Sequence, residues 1–235
     1  MPDLLRIGLL QCGHLHPDLI PAHGDYPEVF TDLLGPEGVE LTPFDATEVL
    51  PDAIDAFDGW LVSGSACSTY DDLPWIGPLE EFLRACVEGA APMVAVCFGH
   101  QLLAQAFGGR VAKADAGWGV GAHTYQVTRP DQPWLQPPAG TVRIVASHQD
   151  QVVELPAGAE VWLATDHCPV AGFTLGPRAM TIQPHPEFTA AVSEGLTVRR
   201  RDAIGAERAD EALASLAEPL DQAIVASWMA AFLRG

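Results

Sequence analysis

Cys97 lies in a stretch whose pattern is typical of a reactive thiol. The unbroken apolar run at 93–96 predicts a short strand buried on both faces, and residues 101–107 have the apolar spacing of a helix. A thiol at the turn between them would face the free N–H groups and the positive end of the helix dipole, which favour a thiolate. A lone cysteine after an apolar run is also often a buried core residue. The stretch alone therefore supports a nucleophile and a structural cysteine about equally.

His185 and Glu187 form a second candidate group, 88 residues after Cys97. The prolines at 184 and 186 restrict the backbone of His185 to extended conformations. Residues two apart in an extended chain point to the same side, so the carboxylate can orient the imidazole. A cysteine with an oriented histidine is the arrangement that nucleophilic acyl transfer needs. The alternative is an unrelated surface histidine beside a glutamate, which the two prolines and the preceding predicted strand make less favoured.

The elements that would position these residues alternate between strands and helices in the first half of the chain. Strands are predicted at 4–11, 39–45, 60–63 and 93–96, and helices at 26–34 and 74–88, with a loop at 12–24. This alternation predicts a parallel sheet wrapped by helices, with the site at the carboxyl ends of the strands. Shorter alternating strands follow at 123–128, 142–146, 151–155 and 160–164, and a hairpin is predicted at 170–175 and 179–183. We therefore expect an α/β fold with a mostly parallel central sheet and a small antiparallel region.

Residues from about 189 onwards have a helical composition. A buried stripe is predicted on the final helix or helices, formed by Leu213, Leu216, Leu220, Ile224, Trp228 and Phe232. No repeat, low-complexity tract or linker separates two units. The expected organisation is a single domain over 1–235, with a core at about 5–190 and a helical C-terminal extension at about 190–235.

The composition excludes several classes of function. Only 12 Lys and Arg residues face 31 Asp and Glu residues, and a net charge of −19 repels nucleic acid and anionic membranes. No apolar stretch could cross a bilayer and no secretion signal is recognisable, while five cysteines without CxxC pairs fit a reducing cytoplasm. The His14-x-His16 pair lacks a predictable third ligand, and no phosphate-binding glycine loop is present. We expect a cytoplasmic protein without a metal or cofactor.

Four stretches together resemble the class I, triad-type glutamine amidotransferases. They are residues 62–65, 92–101, 147–152 and 183–187, which occur in the family's order. The resemblance is closest to the amidotransferase domain of GMP synthase and its stand-alone relatives, and it covers approximately residues 5–190. It implies a flavodoxin-like α/β fold, but it does not explain the helical tail.

The resemblance also implies a mechanism and a set of site residues. Cys97 would attack the γ-carboxamide carbon of glutamine, His185 would transfer the proton to the departing ammonia, and Glu187 would orient the imidazole. The backbone N–H groups of Ser65 and Phe98 would form the oxyanion hole. The residues implied to contact the substrate are Gly64, Gln101, Gln149 and Asp150.

The sequence departs from the family pattern at two places. Ala95 replaces the usual glycine two residues before the cysteine, and its methyl group is expected to carry a small cost. Ser65 and Ala66 replace the end of a Gly-Gly-Pro loop, which could fix one peptide orientation or alter the pocket for the α-carbon groups of glutamine.

Three hypotheses of function follow. The first is a glutaminase that supplies ammonia to a separate synthase subunit. The second is a stand-alone γ-glutamyl peptide hydrolase, which would need a more open pocket. The third is a non-catalytic binding or regulatory homologue, but such a role would not require Cys97, His185 and Glu187 together.

Overall fold

The computed structural model describes residues 4–89 and 91–235. Its strands are β1 (Leu5–Gln11), β2 (Val39–Asp45), β3 (Gly59–Val62), β4 (Met93–Val96), β5 (Arg110–Lys113), β6 (Gly119–Val127), β7 (Thr141–His148), β8 (Asp150–Glu154), β9 (Ala159–Ala164), β10 (Gly172–Leu175) and β11 (Ala179–Ile182). Its helices are α1 (Ile20–His23), α2 (Tyr26–Leu34), α3 (Ile76–Glu88), α4 (Phe98–Ala106), α5 (Ala190–Arg199), α6 (Arg201–Ile204), α7 (Ala206–Ser215) and α8 (Gln222–Arg234), and a 3₁₀ turn covers Gly35–Glu37.

One half of the main sheet is parallel, as the alternation of strands and helices predicts. The order β2-β1-β3-β4-β11 runs across this half, and each neighbouring pair is parallel. The strands β3, β4 and β11 are buried along their whole length, which explains their continuous apolar sequences. β2 lies at the edge of the sheet. Pro43 has no N–H group to donate, and an edge strand tolerates this because it has a neighbour on one side only. The α/β fold class is confirmed.

The antiparallel region is larger than expected. The strands β10, β9, β6 and β7 continue from β11 in antiparallel pairs and complete a nine-stranded sheet. Short strands bury their unpaired edges by joining a larger sheet, so this region is not a separate small unit. β5 was not predicted from the sequence, and it pairs with β8 in a separate two-stranded sheet.

The antiparallel half curves back over the end of the parallel half. β7 is the far edge strand, yet its Val145 forms an isolated antiparallel bridge with His185, three residues after β11. The His185 N–H donates to the Val145 carbonyl oxygen at 2.8 Å. This curvature brings the end of β7 to the carboxyl ends of β4 and β11.

Two helices near the candidate site differ from the prediction. The segment 12–24 contains the short helix α1 and is not entirely a loop. α4 begins at Phe98, directly after Cys97, three residues earlier than the sequence spacing indicated. Its start depends on Gly99, whose N–H donates to the Ser63 carbonyl and whose missing side chain allows close contact. A Cβ atom there would lie 2.9 Å from Cβ of Val62.

The C-terminal helices pack against the sheet. Trp228 on α8 is completely buried, donates from Nε1 to the Pro137 carbonyl at 2.8 Å, and makes an edge contact with Trp162. Trp228 and Phe232 are buried as predicted, whereas the other four stripe residues are only partly buried. On α7 the buried residues are Ala209 and Ala212, not Leu213. Within the described ranges, no helix is long and apolar enough to span a membrane.

Candidate active site

Cys97 occupies a strained turn between β4 and α4. Its φ and ψ angles are 51° and −103°, and it is the one non-glycine residue with positive φ in the part of the chain that the structure describes. Its N–H donates to the Ile182 carbonyl at 2.8 Å, and its carbonyl accepts from the Gln101 N–H at 3.0 Å. These bonds tie the turn to both β11 and α4. Such backbone strain is concentrated at functional sites.

The imidazole of His185 is held on two sides. Its Nδ1 lies 2.7 Å from Oε1 of Glu187, and its ring stacks on Phe188 at 4.1 Å between centroids and 3° between planes. Burial lowers the pKa of His185, but the charges of Cys97 and Glu187 and hydrogen bonds to both raise it to about 10 overall. The structure therefore brings Cys97, His185 and Glu187 into one interacting group.

Gln222, the first residue of α8, holds the segment that carries Glu187. Its Nε2 donates to the carbonyl oxygens of Pro186 at 2.6 Å and Phe188 at 3.1 Å, on either side of Glu187. The preceding residue, Asp221, accepts from and donates to the backbone of Arg143 on β7. The start of α8 thus connects the Glu187 segment to the strand that binds the backbone of His185.

The loop at Gly64 lies directly beside the histidine. A Cβ atom at Gly64 would come within 2.9 Å of Cε1 of His185 and 2.8 Å of the Tyr26 hydroxyl oxygen, so only glycine fits there. The buried Ser63 hydroxyl donates to the Gly64 carbonyl at 2.9 Å, which fixes the peptide that carries the Ser65 N–H. The Ser65 hydroxyl accepts from the Cys67 N–H at 3.2 Å. Hydrogen bonds therefore hold this loop in one conformation.

The methyl group of Ala95 fits within the central sheet. Ala95 is fully buried in β4, in register with Val62 on β3 and Thr181 on β11. Its side chain belongs to the apolar core on that face of the sheet.

A cavity of about 360 Å³, the cysteine-side cavity, opens beside Cys97 and Phe98. Gln101, Gln149 and Asp150 line it, as do Lys113 and Trp118. The side-chain amide nitrogen of Gln101 is already hydrogen-bonded within the protein. Its Nε2 donates to the Asp150 carbonyl at 2.8 Å and to Oε1 of Gln183 at 3.0 Å. Asp150 accepts from the Ser68 hydroxyl at 2.6 Å.

A second cavity of about 570 Å³, the histidine-side cavity, opens beside His185. It shares Ser65, Ala66, Ser147 and Arg200 with the cysteine-side cavity, so the two chambers meet at the loop and at the end of β7. Gly64 borders the His185 ring but does not line either chamber.

Arg200 follows α5 and was not singled out from the sequence. Its Nη1 donates to the Ser147 hydroxyl at 3.0 Å, and its guanidinium lies 5.8 Å from the ring centre of Trp118. The neighbouring His148 is buried, which lowers its pKa to about 3 and keeps its ring neutral. No signal in the sequence marked Arg200 or Gln222, because each acts through contacts distant along the chain. Ser63 lies within the recognised stretch 62–65, but its role toward the Gly64 carbonyl was not predicted.

The His14 and His16 pair is engaged in hydrogen bonds. His14 Nδ1 lies 2.5 Å from the Asp25 carboxylate, whose hydrogen bond raises the pKa of His14, and His16 accepts from Nε of Arg199 at 3.1 Å. Across residues 4–89 and 91–235, no group of three or more His, Cys, Asp or Glu side chains could hold a metal ion.

Comparisons with solved structures show the same fold in known proteins. A glutamine amidotransferase from Thermotoga maritima superposes with a TM-score of 0.80 over 98% of this chain and 99% of that chain, at 15% identity. At this identity the likeness concerns the fold alone.

Sequence comparisons show the family. γ-Glutamyl peptidase 3 of Arabidopsis thaliana is 30% identical over 179 residues, which are 72% of each chain. The glutamine-hydrolysing GMP synthase subunit of Haloarcula marismortui is 34% identical over 179 residues, which are 76% of this chain and 88% of that one. The model of the class-I glutamine amidotransferase family matches residues 27–201. This chain therefore belongs to the class-I glutamine amidotransferase family.

Proposed function

We propose that the chain hydrolyses the γ-amide C–N bond of γ-glutamyl substrates through a thioester on Cys97. The observation that carries the proposal is the buried, interacting group of Cys97, His185 and Glu187, in which Cys97 and His185 each line one of two adjoining cavities. The raised pKa of His185 keeps its ring protonated at neutral pH, so the imidazolium can give a proton to the departing nitrogen. The interaction of all three residues argues against a purely binding role.

The reaction proceeds in two halves. The Cys97 thiolate forms a bond with the γ-carbonyl carbon, and the backbone N–H groups of Ser65 and Phe98 bind the oxyanion. Such a donor contributes about 3–4 kcal/mol to lowering the barrier. The C–N bond breaks as His185 gives its proton to the departing nitrogen. Water, deprotonated by His185, then attacks the thioester and releases glutamate and the Cys97 thiolate.

The γ-glutamyl group fits the cysteine-side cavity. Asp150 and Lys113 line this cavity with opposite charges, which match the α-ammonium and α-carboxylate of the substrate. Gln149 lines the same cavity. Gln101 positions Asp150 by donating to its backbone carbonyl, and Gly64 allows the loop to lie close to His185.

The leaving group favours a γ-glutamyl peptide over glutamine. Ammonia needs about the volume of one water molecule, on the order of 30 Å³. The chamber beside His185 has about 570 Å³ and can hold a much larger amine. The likeness to γ-glutamyl peptidase 3 agrees with a stand-alone γ-glutamyl peptide hydrolase.

A glutaminase role is the second candidate. It is favoured by the likeness to the GMP synthase subunit of Haloarcula marismortui, which is named as glutamine-hydrolysing. In this role the chain would release ammonia to a separate synthase subunit, and glutamine would be the substrate.

The test is to follow glutamate release from glutamine and from γ-glutamyl dipeptides with the purified chain and with Cys97→Ala. We expect dipeptide turnover that Cys97→Ala abolishes, and a γ-glutamyl adduct on Cys97 in mass spectra of the quenched wild type. Turnover that survives Cys97→Ala contradicts the mechanism. Glutamine turnover with idle dipeptides selects the glutaminase, and its stimulation by a co-purified synthase would identify the partner.

A further inference from the structure

We infer that the histidine-side cavity binds the leaving amine as an amino acid that has an apolar side chain and a free carboxylate. The substrate class would be γ-glutamyl derivatives of apolar amino acids. This inference rests on the proposed function, because it assigns the second half of the same substrate.

The positions of the two reacting side chains decide which chamber holds which half. Cys97 lines the cysteine-side cavity and bonds to the acyl carbon, whereas His185 lines the histidine-side cavity and protonates the amine nitrogen. The γ-glutamyl group and the amine must therefore extend to opposite sides of the shared loop at Ser65. The amine enters the larger chamber.

Part of the wall of the histidine-side cavity is apolar. Leu15, Leu196 and Phe188 are 3%, 6% and 1% exposed, and Ile20 packs beside them. An apolar side chain that replaces water against this wall gains roughly 25 cal/mol for each Å² buried. The chamber therefore favours amines with aliphatic or aromatic groups over glycine-like amines.

Two arginines, Arg199 and Arg200, make the remaining wall basic in a strongly acidic protein. His14, His16, Arg199 and Arg200 line the cavity, and none of its described lining residues is Asp or Glu, although the chain carries a net charge of −19. Asp18 and Asp25 contact Arg199 and His14, but neither carboxylate lines the cavity.

Arg200 is the most suitable partner for a carboxylate. Its contacts at this point are with neutral groups, the Ser147 hydroxyl and the Trp118 ring. Arg200 lines both chambers, as does Ser65, whose N–H group is assigned to the oxyanion hole. The carboxylate of an amino acid is one carbon from the scissile nitrogen, and a guanidinium binds a carboxylate through two parallel hydrogen bonds.

The net reaction is the hydrolysis of one amide bond. The γ-glutamyl C–N bond breaks, one proton from His185 and one hydroxyl group from water complete the products, and no electrons are transferred. Glutamate leaves the cysteine-side cavity and the apolar amino acid leaves the histidine-side cavity.

The experiment compares kcat/KM for γ-glutamyl-leucine and γ-glutamyl-3-methylbutylamide, which has the same aliphatic group without the carboxylate. We expect the leucine derivative to be the better substrate by about tenfold or more, as a charge-assisted hydrogen bond predicts. Arg200→Gln should remove most of this preference through KM. Arg110→Gln, which breaks an exposed ion pair with Glu154 far from the site, is the control and should keep the preference.

A second measurement needs no variant at the site. Leucine should inhibit the wild-type chain competitively at concentrations where 3-methylbutylamine does not. Equal kcat/KM values for the two substrates, or equal inhibition by the two products, would overturn the inference while leaving γ-glutamyl hydrolysis intact. If neither substrate turns over, or if turnover survives Cys97→Ala, the proposed function falls as well.

Discussion

Nδ1 of His185 lies 2.7 Å from Oε1 of Glu187, and the two side chains are only 3% and 0% exposed. A carboxylate so placed stabilises the imidazolium and fixes which ring nitrogen faces Cys97. The other oxygen, Oε2 of Glu187, has no hydrogen-bond partner among the described residues. His185 is thus the one hydrogen-bond partner of the Glu187 carboxylate in the described part of the chain, and the effect of this charge on the histidine can be removed by a single isosteric change.

Glu187→Gln should lower the pKa of His185, because it removes a negative charge that raises it. The alkaline limb of kcat/KM reports loss of the imidazolium, so it should move to lower pH by about 1–3 units. The rate should fall about 10²-fold or more. Glu160→Gln, at an exposed ion pair with Arg129, should leave the profile unchanged. An unshifted limb in Glu187→Gln would contradict the assigned role.

Gln222→Leu should reduce kcat by roughly tenfold, because leucine has a similar size but cannot donate to the carbonyls of Pro186 and Phe188. The alkaline limb should shift in the same direction as in Glu187→Gln, by less. Ser227→Ala on the same helix removes a bond to Glu37 and is the matched control. A lower melting temperature without any change in the pH profile would show a structural role only.

Ser63→Ala should reduce kcat by about 10–100-fold with little change in KM. Its hydroxyl fixes the peptide that carries the Ser65 N–H and also accepts from the Cys12 N–H at 2.9 Å, so its loss frees an oxyanion donor to rotate. Thr31→Ala removes a similar hydroxyl-to-carbonyl bond on the exposed part of α2 and serves as the control. Steady-state kinetics on both variants separates the two parameters, and a pure KM effect would refute the explanation.

Trp228→Ala should destabilise the whole chain by about 3–5 kcal/mol, the usual cost of removing a buried tryptophan. We propose that residues 1–235 form a single domain, with the core at about 5–190 and the extension at about 190–235 unfolding together. Urea denaturation followed by tryptophan fluorescence and by circular dichroism should therefore give one shared transition. Two separate transitions would show that the C-terminal helices unfold independently.

Stability should fall as the pH drops below about 6.5, the ordinary pKa of histidine, because burial lowers the pKa values of His100 and His148 to about 3. Between these values the unfolded chain binds protons that the folded chain does not. The free energy of unfolding then falls by about 1.4 kcal/mol per pH unit for each histidine. His185 has a pKa raised to about 10 and is protonated in both states below pH 6, so its stabilising effect is full there, declines as the pH rises above about 6.5 and is lost by about pH 10.

His100→Gln should remove one histidine from this pH dependence. Urea titrations at pH 5, 6 and 7 give the free energy of unfolding at each pH, which should depend less steeply on pH than in the wild type. Loss of the hydrogen bond to Thr181 lowers the free energy of unfolding at every pH and does not change this slope. Parallel slopes in the two proteins would contradict the assignment.

Local sequence patterns predicted the elements that form the centre of the site. The apolar runs of β3 and β4 and Gly99, two residues after Cys97, are short-range signals. The helix predicted at 26–34 agrees with α2 at both ends. β5 has only four residues, which are too few to show the alternation of apolar and polar residues that marks a strand. Its partner β8 is also distant in the sequence, so no local signal indicates the pairing. The curvature that brings Val145 to His185 also depends on the complete sheet.

The same distinction applies to the site. Cys97, His185 and Glu187 lie in motifs that can be recognised locally. Gln222 on α8 and Arg200, between α5 and α6, reach the site only through tertiary packing. The residues that the resemblance implies as substrate contacts differ in how free their side chains are to bind a substrate. Gln149 and Asp150 line the cavity, but the amide nitrogen of Gln101 is already bound within the protein.

The left-handed backbone of Cys97 has a consequence for how this protein could evolve. A non-glycine residue held in this sparsely populated, positive-φ conformation costs roughly 1–3 kcal/mol, which glycine avoids. Selection for stability alone would therefore favour glycine at position 97, the substitution that removes the proposed nucleophile. A homologue that lost its chemistry would be free to gain this stability. A cysteine at position 97 is therefore what the proposed chemistry requires and what stability alone would not favour.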